Sequence, residues 1–506
     1  MCCDIIIARF GGNMLLQYLL EDIEKETRGN LNIEINKIEY DSKKIEKNDV
    51  FVAIRGLKTN GHEYIEEALK NGAVAVVIEK AEENNIAKLD EDVVIVTVEN
   101  TRIALAEVSS KYYDYPAKKL SIIGVTGTKG KTTTAYMIRD IMKASKKKCG
   151  LIGTIANEYA DVSIEASRTS PESLELQKLL RDMVDAGMEY VVMEVSSHAL
   201  ELYRVHGIKF EIGVFTNLSQ DHLDFHETMD NYLRAKAKLF KQCTFGIINA
   251  DDIYTPRLMK LIECKTAKFG IDNSSNVTAT DIRINNNYVD FKMYINKQLQ
   301  TITVDIPGKY TVYNALAAIA VTSMLGVQME DILQALAKIK VPGRSEVVDI
   351  GKSFAVIIDY AHSPASLEAI IVNTKRYVKG RVITVFGCGG NRDKTKRPEM
   401  GKISGTYSDF TIITTDNPRD EEPANIAKDV EAGIKQTKGL YKVILNRDEA
   451  IKFAMRIAWK NDTIIIAGKG HETYQELKNG KKIHMDDRET VKRIAETMPE
   501  KNDIKF

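Results

Sequence analysis

The residues with the clearest chemical potential lie in the stretch 120–134. An apolar run there predicts a buried parallel strand, a glycine-rich turn follows at Gly127 and Gly130, and Lys131 opens a helical pattern. In such an arrangement, unpaired backbone N–H groups and the helix dipole point at bound phosphate. The lysine adds a charge for the outer phosphates, and the next hydroxyl, Thr132, can hold Mg2+. The stretch therefore predicts a phosphate-binding loop.

The glycine spacing of this loop departs from the general pattern G-x-x-x-x-G-K-[ST]. That pattern requires glycine at position 125, where this chain has Val125. The bland alternative is a glycine-rich turn with a surface lysine, and the strand before it and the helix after it disfavour that alternative. This difference in glycine spacing is expected to narrow the choice of protein family. It weighs against a P-loop motor or a switch GTPase.

Two acidic features follow the loop. The apolar strand predicted at 190–194 ends in Glu194, and the carboxyl ends of strands in such sheets face the ligand crevice. The loop 221–226 contains two acids and two histidines, a spacing that fits a metal site and a polar turn equally well. The nearby phosphate loop and Glu194 favour a polynuclear Mg2+ centre.

The helix predicted at 231–240 carries Lys236 among other basic residues, which would normally lie on a solvated face.

Composition narrows the class of protein. At 506 residues the chain suggests about three domains. Lys plus Arg and Asp plus Glu are both 71, which argues against a nucleic-acid binder. The six cysteines are scattered and form no C-x-x-C pair, so a reduced, cytoplasmic compartment is expected. Neither a membrane span nor a signal peptide is expected, and residues 1–13 are predicted to be a loose extension.

Strand and helix patterns alternate along the whole chain. They predict a small α/β domain up to about Pro116, a central domain built on the phosphate loop, and a hinge at Val341–Arg344. The last part has four apolar strand patterns, each ending in a polar or glycine-rich turn, which predicts a doubly wound parallel sheet. Its turns present Arg392, Arg419, His471 and Glu472 at the carboxyl edge, where they suit a zwitterionic ligand.

These residues together resemble the Mur ligase family of ATP-dependent amide ligases over nearly the whole chain after residue 13. The resemblance is carried by these motifs: Thr126–Thr133, Met193–Leu200, Asp221–Asp224, Tyr313–Asn314, Pro342–Arg344, Asp359–Pro364, Gly387–Asp393, Asp416–Arg419 and Gly468–Glu472. It implies three α/β domains: residues 1–116 binding UDP, residues 117–342 forming a P-loop ATPase domain, and residues 343–506 forming a Rossmann-like amino-acid domain. It also implies a cytoplasmic monomer.

The reaction implied by the resemblance is the ATP-dependent addition of meso-diaminopimelate to UDP-N-acetylmuramoyl-L-alanyl-D-glutamate, a step of peptidoglycan synthesis. The turn Asp416–Arg419 resembles that of the diaminopimelate-adding branch. The closest alternative is the lysine-adding branch. A folate-type glutamate ligase lacks both this turn and the N-terminal domain. A silent binding module is disfavoured by the intact Lys131 and Glu194.

The resemblance also implies roles for individual residues. The ATP phosphates would lie on Gly127, Thr128, Lys129, Gly130, Lys131, Thr132 and Thr133, and the nucleotide would also contact Asn314 and Arg344. Two Mg2+ ions would be held by Thr132, Glu194, His222 and a carbamylated Lys236, with Lys131, Lys236 and His222 as catalytic residues. The UDP-MurNAc-dipeptide would contact Ser42, Thr169, Ser170, Ser196 and Arg204. Diaminopimelate would contact Arg392, Asp416, Asn417, Pro418, Arg419, Gly468 and Glu472.

Overall fold

The computed structural model describes residues 14–57, 59–86, 93–285, 287–295 and 298–498. The extension predicted at residues 1–13 lies outside them. The chain divides into two compact units, one containing residues up to 131 together with 146–268, the other containing 132–145 and the chain from 269 onward. Within the described residues, no helix is both long and apolar enough to cross a membrane.

The first unit begins with a small α/β layer. Its sheet has the order Glu26–Arg28, Val94–Val98, Ala73–Glu79, Asp49–Val52 and Ile38–Glu39, parallel except at the first pairing. Helices Ile65–Lys70 and Thr101–Tyr112 accompany it, with short 3-10 turns at Ser42–Lys44, Gly61–Tyr64, Lys80–Ile86 and Pro116–Lys119. The apolar spacing of residues 14–23 predicts a helix, and this prediction is wrong in extent. Met14–Leu15 is a short strand paired with Glu34–Ile35, and only Leu16–Leu19 is helical.

The larger sheet of the first unit holds the phosphate loop. Its order is Val162–Glu165, Ala156–Tyr159, Cys149–Ile152, Tyr190–Glu194, Ser121–Thr126, Phe210–Phe215, Cys243–Asn249 and Lys265–Gly270, the strand in which the chain enters the second unit. Its helices are Lys131–Ala144, which continues into the second unit, Ser173–Asp185, Ser197–Glu201, Leu223–His226, Met229–Lys241 and Thr255–Leu258. Tyr190–Glu194 and Phe210–Phe215 pair in parallel on either side of Ser121–Thr126. Their carboxyl ends therefore meet at one edge.

The second unit contains an antiparallel meander, a helix pair and a larger sheet. After Val277–Thr278, the meander strands are Thr280–Ile284, Val289–Ile295 and Gln298–Val304, followed by helices Lys309–Met324 and Met329–Leu336. The larger sheet has the order Glu346–Val348, Ala355–Asp359, Thr463–Ala467, Val382–Phe386, Phe410–Ile413 and Tyr441–Val443. Helices Pro364–Lys375, Lys396–Tyr407, Pro423–Ile434, Arg447–Ile457 and Asp487–Thr497, a 3-10 turn at Lys478–Gly480 and the hairpin Tyr474–Glu476 with Lys482–His484 complete it.

The prediction of a doubly wound sheet is confirmed. Along Thr463–Ala467, Ile464 and Ile466 pack into one buried cluster, whereas Ile465 and Ala467 pack into another. Because successive strand residues face opposite sides, both faces of the sheet are covered by helices. Pairing is parallel except for the edge strand Glu346–Val348. The turns that follow the parallel strands therefore meet at one carboxyl edge.

Candidate active site

The phosphate loop joins strand Ser121–Thr126 to the helix that begins at Lys131. Gly127 has φ 147° and Gly130 has φ 85°, a region that disfavours side chains. A Cβ at Gly127 would also lie 1.9 Å from Thr216 Oγ1 on the neighbouring strand end. Both glycines are therefore required by the backbone.

Two lysines converge on one carbonyl of this loop. Lys131 Nζ donates to Gly127 O at 2.9 Å and to Thr128 O at 3.0 Å. Lys236 Nζ donates to the same Gly127 O, also at 2.9 Å. The side chain of Thr128 donates to Ser219 O at 3.2 Å, and the backbone N–H of Lys129 donates to Asn217 Oδ1 at 3.0 Å. The segment 217–219 therefore fixes the loop through hydrogen bonds, and the carbonyl of Gly127 accepts hydrogen bonds from two lysine side chains.

Lys236 is buried, contrary to the expectation of a solvated face. Its residue is 1% exposed, and its ammonium lies over the ring of Tyr232, 4.5 Å from the centroid. Burial, reinforced by the charge of Lys131, lowers the pKa of Lys236 well below its usual value. An amine without its proton has a lone pair available for covalent chemistry.

Glu194 is the buried acid at the adjacent strand end. It pairs in register with Val125, and its residue is 1% exposed. Its carboxylate accepts hydrogen bonds from the backbone N–H and the hydroxyl of Thr154, at 2.8 and 3.0 Å. A Cβ at Gly153 would approach Glu194 Oε1 to 2.5 Å, so that glycine makes room for the carboxylate.

His222 lies in the acidic loop with a left-handed backbone, φ 51°. Its ring meets the edge of the His198 ring at 4.9 Å, and His198 in turn stacks on Phe225 at 4.3 Å. Burial lowers the pKa of His222 below its usual value, with the charges of Lys131 and Lys236 acting in the same direction. The ring is therefore neutral near pH 7, the form that binds metals.

The candidate metal ligands at this site suit Mg2+ only in part. Across the residues that the structure describes, no group of three or more His, Cys, Asp and Glu side chains is placed to hold a metal ion. Mg2+ usually takes one or two carboxylates and completes its shell with water and substrate phosphate. Glu194 fits that preference, the neutral His222 offers a nitrogen that Mg2+ binds less readily, and a cationic Lys236 would not fit.

Four of the residues expected to grip the dipeptide share one hydrogen-bond network. Ser170 Oγ donates to Glu194 O at 2.9 Å and accepts from the backbone N–H of Ser196 at 3.1 Å. Arg204 Nη1 donates to Ser170 O at 3.2 Å. Thr169 shares a 3.1 Å hydrogen bond with the Thr154 hydroxyl, which itself bonds Glu194. The network links these residues to the strand end that carries the candidate metal ligand.

Ser42 belongs to a different network in the small N-terminal layer. It is buried, its hydroxyl donates to Glu67 Oε2 at 2.6 Å, and its carbonyl accepts from Asn71 Nδ2 at 2.9 Å. The 3-10 turn Ser42–Lys44 is capped by Asp41, whose side chain accepts from the Lys43 N–H.

In the second unit, the residues expected to contact the nucleotide lie along the first turn of the helix after the loop. Arg344 Nη2 donates to Thr132 Oγ1 at 3.4 Å, and Thr134 Oγ1 donates to Asn314 Oδ1 at 3.3 Å. The Arg344 guanidinium also lies over the Tyr360 ring at 4.9 Å. The run of small residues after Asn314 predicts a helix that begins at Asn314, but the helix starts at Lys309 and Asn314 lies inside it.

The turn Asp416–Arg419 forms a charged cluster in the second unit. Asn417 Nδ2 donates to Glu472 Oε2 at 2.9 Å. Arg419 has φ 50°, donates from Nε to Glu476 Oε2 at 2.8 Å, and donates from Nη1 to Gly390 O at 2.9 Å.

Glycines allow the loops of this cluster to approach closely. A Cβ at Gly468 would lie 2.5 Å from Asp416 Oδ2, and one at Gly390 would lie 1.9 Å from Pro418 O. A Cβ at Gly389 would lie 3.0 Å from Arg419 Nη1 and 3.7 Å from Arg392 Cγ, so the two arginines flank that glycine. Arg392 is exposed. The structure therefore brings together all seven residues expected at the amino-acid pocket.

Sequence reasoning missed two residues of this cluster. Lys469 is fully buried, and its Nζ donates to Asn417 Oδ1 at 3.0 Å and to Glu472 Oε2 at 3.2 Å. Glu476 comes from the hairpin strand Tyr474–Glu476 and orients Arg419. The position of Lys469 inside the motif Gly468–Glu472 was a usable signal. Nothing in the sequence pattern pointed to Glu476.

The fold and these clusters define an α/β protein with a phosphate loop, a buried lysine beside it, and a second, mostly parallel sheet with a charged cluster at its carboxyl edge. Three family models match the chain: "Mur ligase family, catalytic domain" at residues 34–113, "Mur ligase middle domain" at residues 125–322, and "Mur ligase, glutamate ligase domain" at residues 343–470. The chain belongs to the Mur ligase family and has its three-domain α/β architecture.

Comparison with individual proteins is more specific than comparison with the family models. A UDP-N-acetylmuramoyl-L-alanyl-D-glutamate--2,6-diaminopimelate ligase of Clostridium tetani is 46% identical over 489 residues, 96% of this chain and 100% of the relative. One of Alkaliphilus oremlandii is 48% identical over 488 residues, 95% and 99% of the two chains. A solved structure of a ligase of the same name is 29% identical, with a TM-score of 0.67 over 96% of this chain and 99% of the other.

Proposed function

We propose that the chain catalyses the ATP-dependent addition of meso-diaminopimelate to UDP-N-acetylmuramoyl-L-alanyl-D-glutamate, forming ADP and phosphate. The names of the relatives support this reaction. The observation that carries it is the cluster at the turn Asp416–Arg419, where Glu476 holds the Arg419 guanidinium and the Asn417 side chain donates to Glu472. A neighbouring cation and anion suit the second amino-acid centre of diaminopimelate, which L-lysine lacks.

The reaction begins with attack of the D-glutamyl γ-carboxylate on the γ-phosphate of ATP, which gives an acyl phosphate and ADP. Lys131 and the backbone N–H groups of residues 127–133 bind the triphosphate and reduce its repulsion of the carboxylate. The diaminopimelate amine, once neutral, attacks the acyl carbon and forms a tetrahedral intermediate. The nitrogen then loses a proton to solvent water, and inorganic phosphate leaves as the amide forms. Ser170, Ser196 and Arg204 hold the dipeptide during both steps. Domain boundaries at 116 and 342 fit this division of labour.

Mg2+ fits the residues of the first unit if Lys236 is carbamylated. A carbamate turns the buried lysine into an anion, and burial, which lowers the pKa of Lys236 well below its usual value, favours the neutral amine that reacts with CO2. Glu194, His222 and carbamylated Lys236 would then hold two ions. When bound, Mg2+ would offset the charge of the phosphates and the attacking carboxylate. We propose that the enzyme acts as a cytoplasmic monomer.

The test is ADP formation with purified protein, ATP, Mg2+ and UDP-MurNAc-L-Ala-D-Glu, comparing meso-diaminopimelate with L-lysine. Diaminopimelate is expected to support turnover with a kcat/KM about tenfold to a hundredfold above that of lysine, because lysine lacks the second carboxylate and one lost charge-assisted contact costs about 1.5–3 kcal/mol. Preference for lysine would favour the lysine-adding reaction. No turnover with either amino acid would contradict the proposal.

Replacing Arg419 by alanine is expected to raise the KM for diaminopimelate about tenfold to a hundredfold while leaving the KM for ATP within about twofold. The reason is that Arg419 supplies a charge-assisted contact to the amino acid alone. Initial rates at varied concentrations of each substrate measure the split. Arg376→Ala, which removes an exposed arginine at the end of helix Pro364–Lys375, is the matched control. Equal rises in both KM values would remove Arg419 from the amino-acid pocket.

A further inference from the structure

A buried carboxylate lies among three arginines in the first unit. Glu172 is 4% exposed, and its Oε2 accepts hydrogen bonds from Arg102 Nη1 at 3.3 Å and Arg204 Nε at 3.2 Å. Arg168 Nη1 lies 3.9 Å from the same oxygen. Burying a carboxylate is costly unless it is paired, and here one carboxylate faces three guanidinium groups. The cluster therefore keeps an excess of positive charge.

Helix capping does not account for Glu172. The residue stands at the N-cap of helix Ser173–Asp185, where serine, threonine, aspartate and asparagine are the usual choices. Its side chain makes no capping hydrogen bond. The side chain of Glu172 instead contacts the arginines, and these contacts are its contribution to the fold.

The two arginines bonded to Glu172 serve different parts of the first unit. Arg204 also donates from Nη1 to Ser170 O at 3.2 Å, within the network expected to grip the dipeptide. Arg102, on helix Thr101–Tyr112, donates from Nε and Nη2 to Arg55 O at 3.1 and 2.8 Å. Arg55 immediately precedes the polar loop that begins at Gly56 in the N-terminal layer. Glu172 thus connects that loop to the dipeptide network.

We propose that Glu172 is a positioning residue for the acidic nucleotide-sugar peptide substrate, holding Arg204 toward the peptide and fixing the Arg55 loop through Arg102. A guanidinium on a long side chain loses conformational entropy when it binds, and anchoring it beforehand lowers that cost. The surplus of positive charge attracts a substrate that carries carboxylates and a diphosphate. The inference rests on the proposed function for the identity of this substrate.

Glu172→Gln tests the role because it keeps the shape of the side chain and removes its charge. The KM for UDP-MurNAc-L-Ala-D-Glu is expected to rise about tenfold, while kcat and the KM for ATP stay within about twofold. Glu172→Asp keeps the charge and is expected to recover part of the loss. Asp185→Asn, which removes an exposed acid bonded to Arg181 at the end of the same helix, is the control.

A double-mutant cycle separates positioning from general stability. If Glu172 acts through Arg204, the effect of Arg204→Lys on the dipeptide KM shrinks by at least about threefold in the Glu172→Gln background. Arg102→Lys, which leaves Glu172 in place, is expected to raise the same KM and serves if the Glu172 variants do not fold. Additive effects, or parallel changes in kcat and in the KM for ATP, would overturn the proposal.

Equilibrium binding distinguishes this inference from the proposed function. Calorimetric titration of UDP-MurNAc-L-Ala-D-Glu into wild type and Glu172→Gln needs no turnover, and the variant is expected to bind about tenfold more weakly. Equal binding by the two proteins would overturn the role of Glu172 while leaving the ligase activity standing. A wild-type protein that does not bind this compound would overturn both.

Discussion

Lys131→Ala is expected to lower kcat for ADP formation by at least about a hundredfold to a thousandfold, the range seen when one donor that stabilises a developing anion is removed. Lys131 Nζ lies at the carbonyls of Gly127 and Thr128, at the mouth of the phosphate loop. Lys131 is the loop residue that places a cation at these carbonyls. The dipeptide carboxylate must approach a triphosphate, and without this charge their repulsion opposes the first step.

The fold is expected to survive the substitution because Lys131 is partly exposed and alanine favours the first turn of the helix. Circular dichroism and the thermal midpoint check this expectation. Lys143→Ala is the matched control, since it removes an exposed lysine from the last turn of the same helix. A soluble Lys131→Ala protein with wild-type kcat would contradict the assignment of the loop to ATP phosphates.

Much of the fold follows from local apolar runs. Strand Tyr190–Glu194 has the predicted bounds because its first four residues form an apolar run, as expected inside a parallel sheet, and the run ends at Glu194. The start of the helix containing Asn314 was mispredicted. Thr311 and Val312 favour strands by propensity, yet both are buried in the first turns of the helix after Gly308, and tertiary packing outweighs propensity.

The residues of the candidate site were harder to predict from the sequence than the strands and helices. Periodicity places Lys236 on a basic helix, but only the packing of that helix shows that the side chain turns inward toward Gly127 O. Glu476 reaches Arg419 across 57 residues of sequence, and Glu172 meets Arg102 across 70. Such pairings depend on which strands and helices become neighbours, and a single sequence carries no local signal for them.

Lys236→Ala is expected to lower kcat by at least about a thousandfold, because it removes both the amine that would carry the carbamate and a charge that Mg2+ would need. Added acetate or formate is expected to restore part of the activity by placing a carboxylate in the space that the side chain leaves. Lys238→Ala is the control on the same helix, since that lysine is partly exposed and pairs with Glu201 at 2.6 Å.

Rescue by short acids distinguishes a carbamate from a lysine that acts as a cation. A cationic Lys236 would be replaced better by added amines than by acids, and Lys236→Arg would then retain activity. Burial and Lys131 both disfavour the charged amine, so the neutral form is available to CO2 at neutral pH. Wild-type protein kept in 13C-labelled bicarbonate is therefore expected to give a carbamate carbon resonance that is absent from Lys236→Ala. Absence of that resonance, together with rescue by amines alone, would contradict carbamylation and leave Glu194 and His222 as the remaining protein ligands proposed in the first unit.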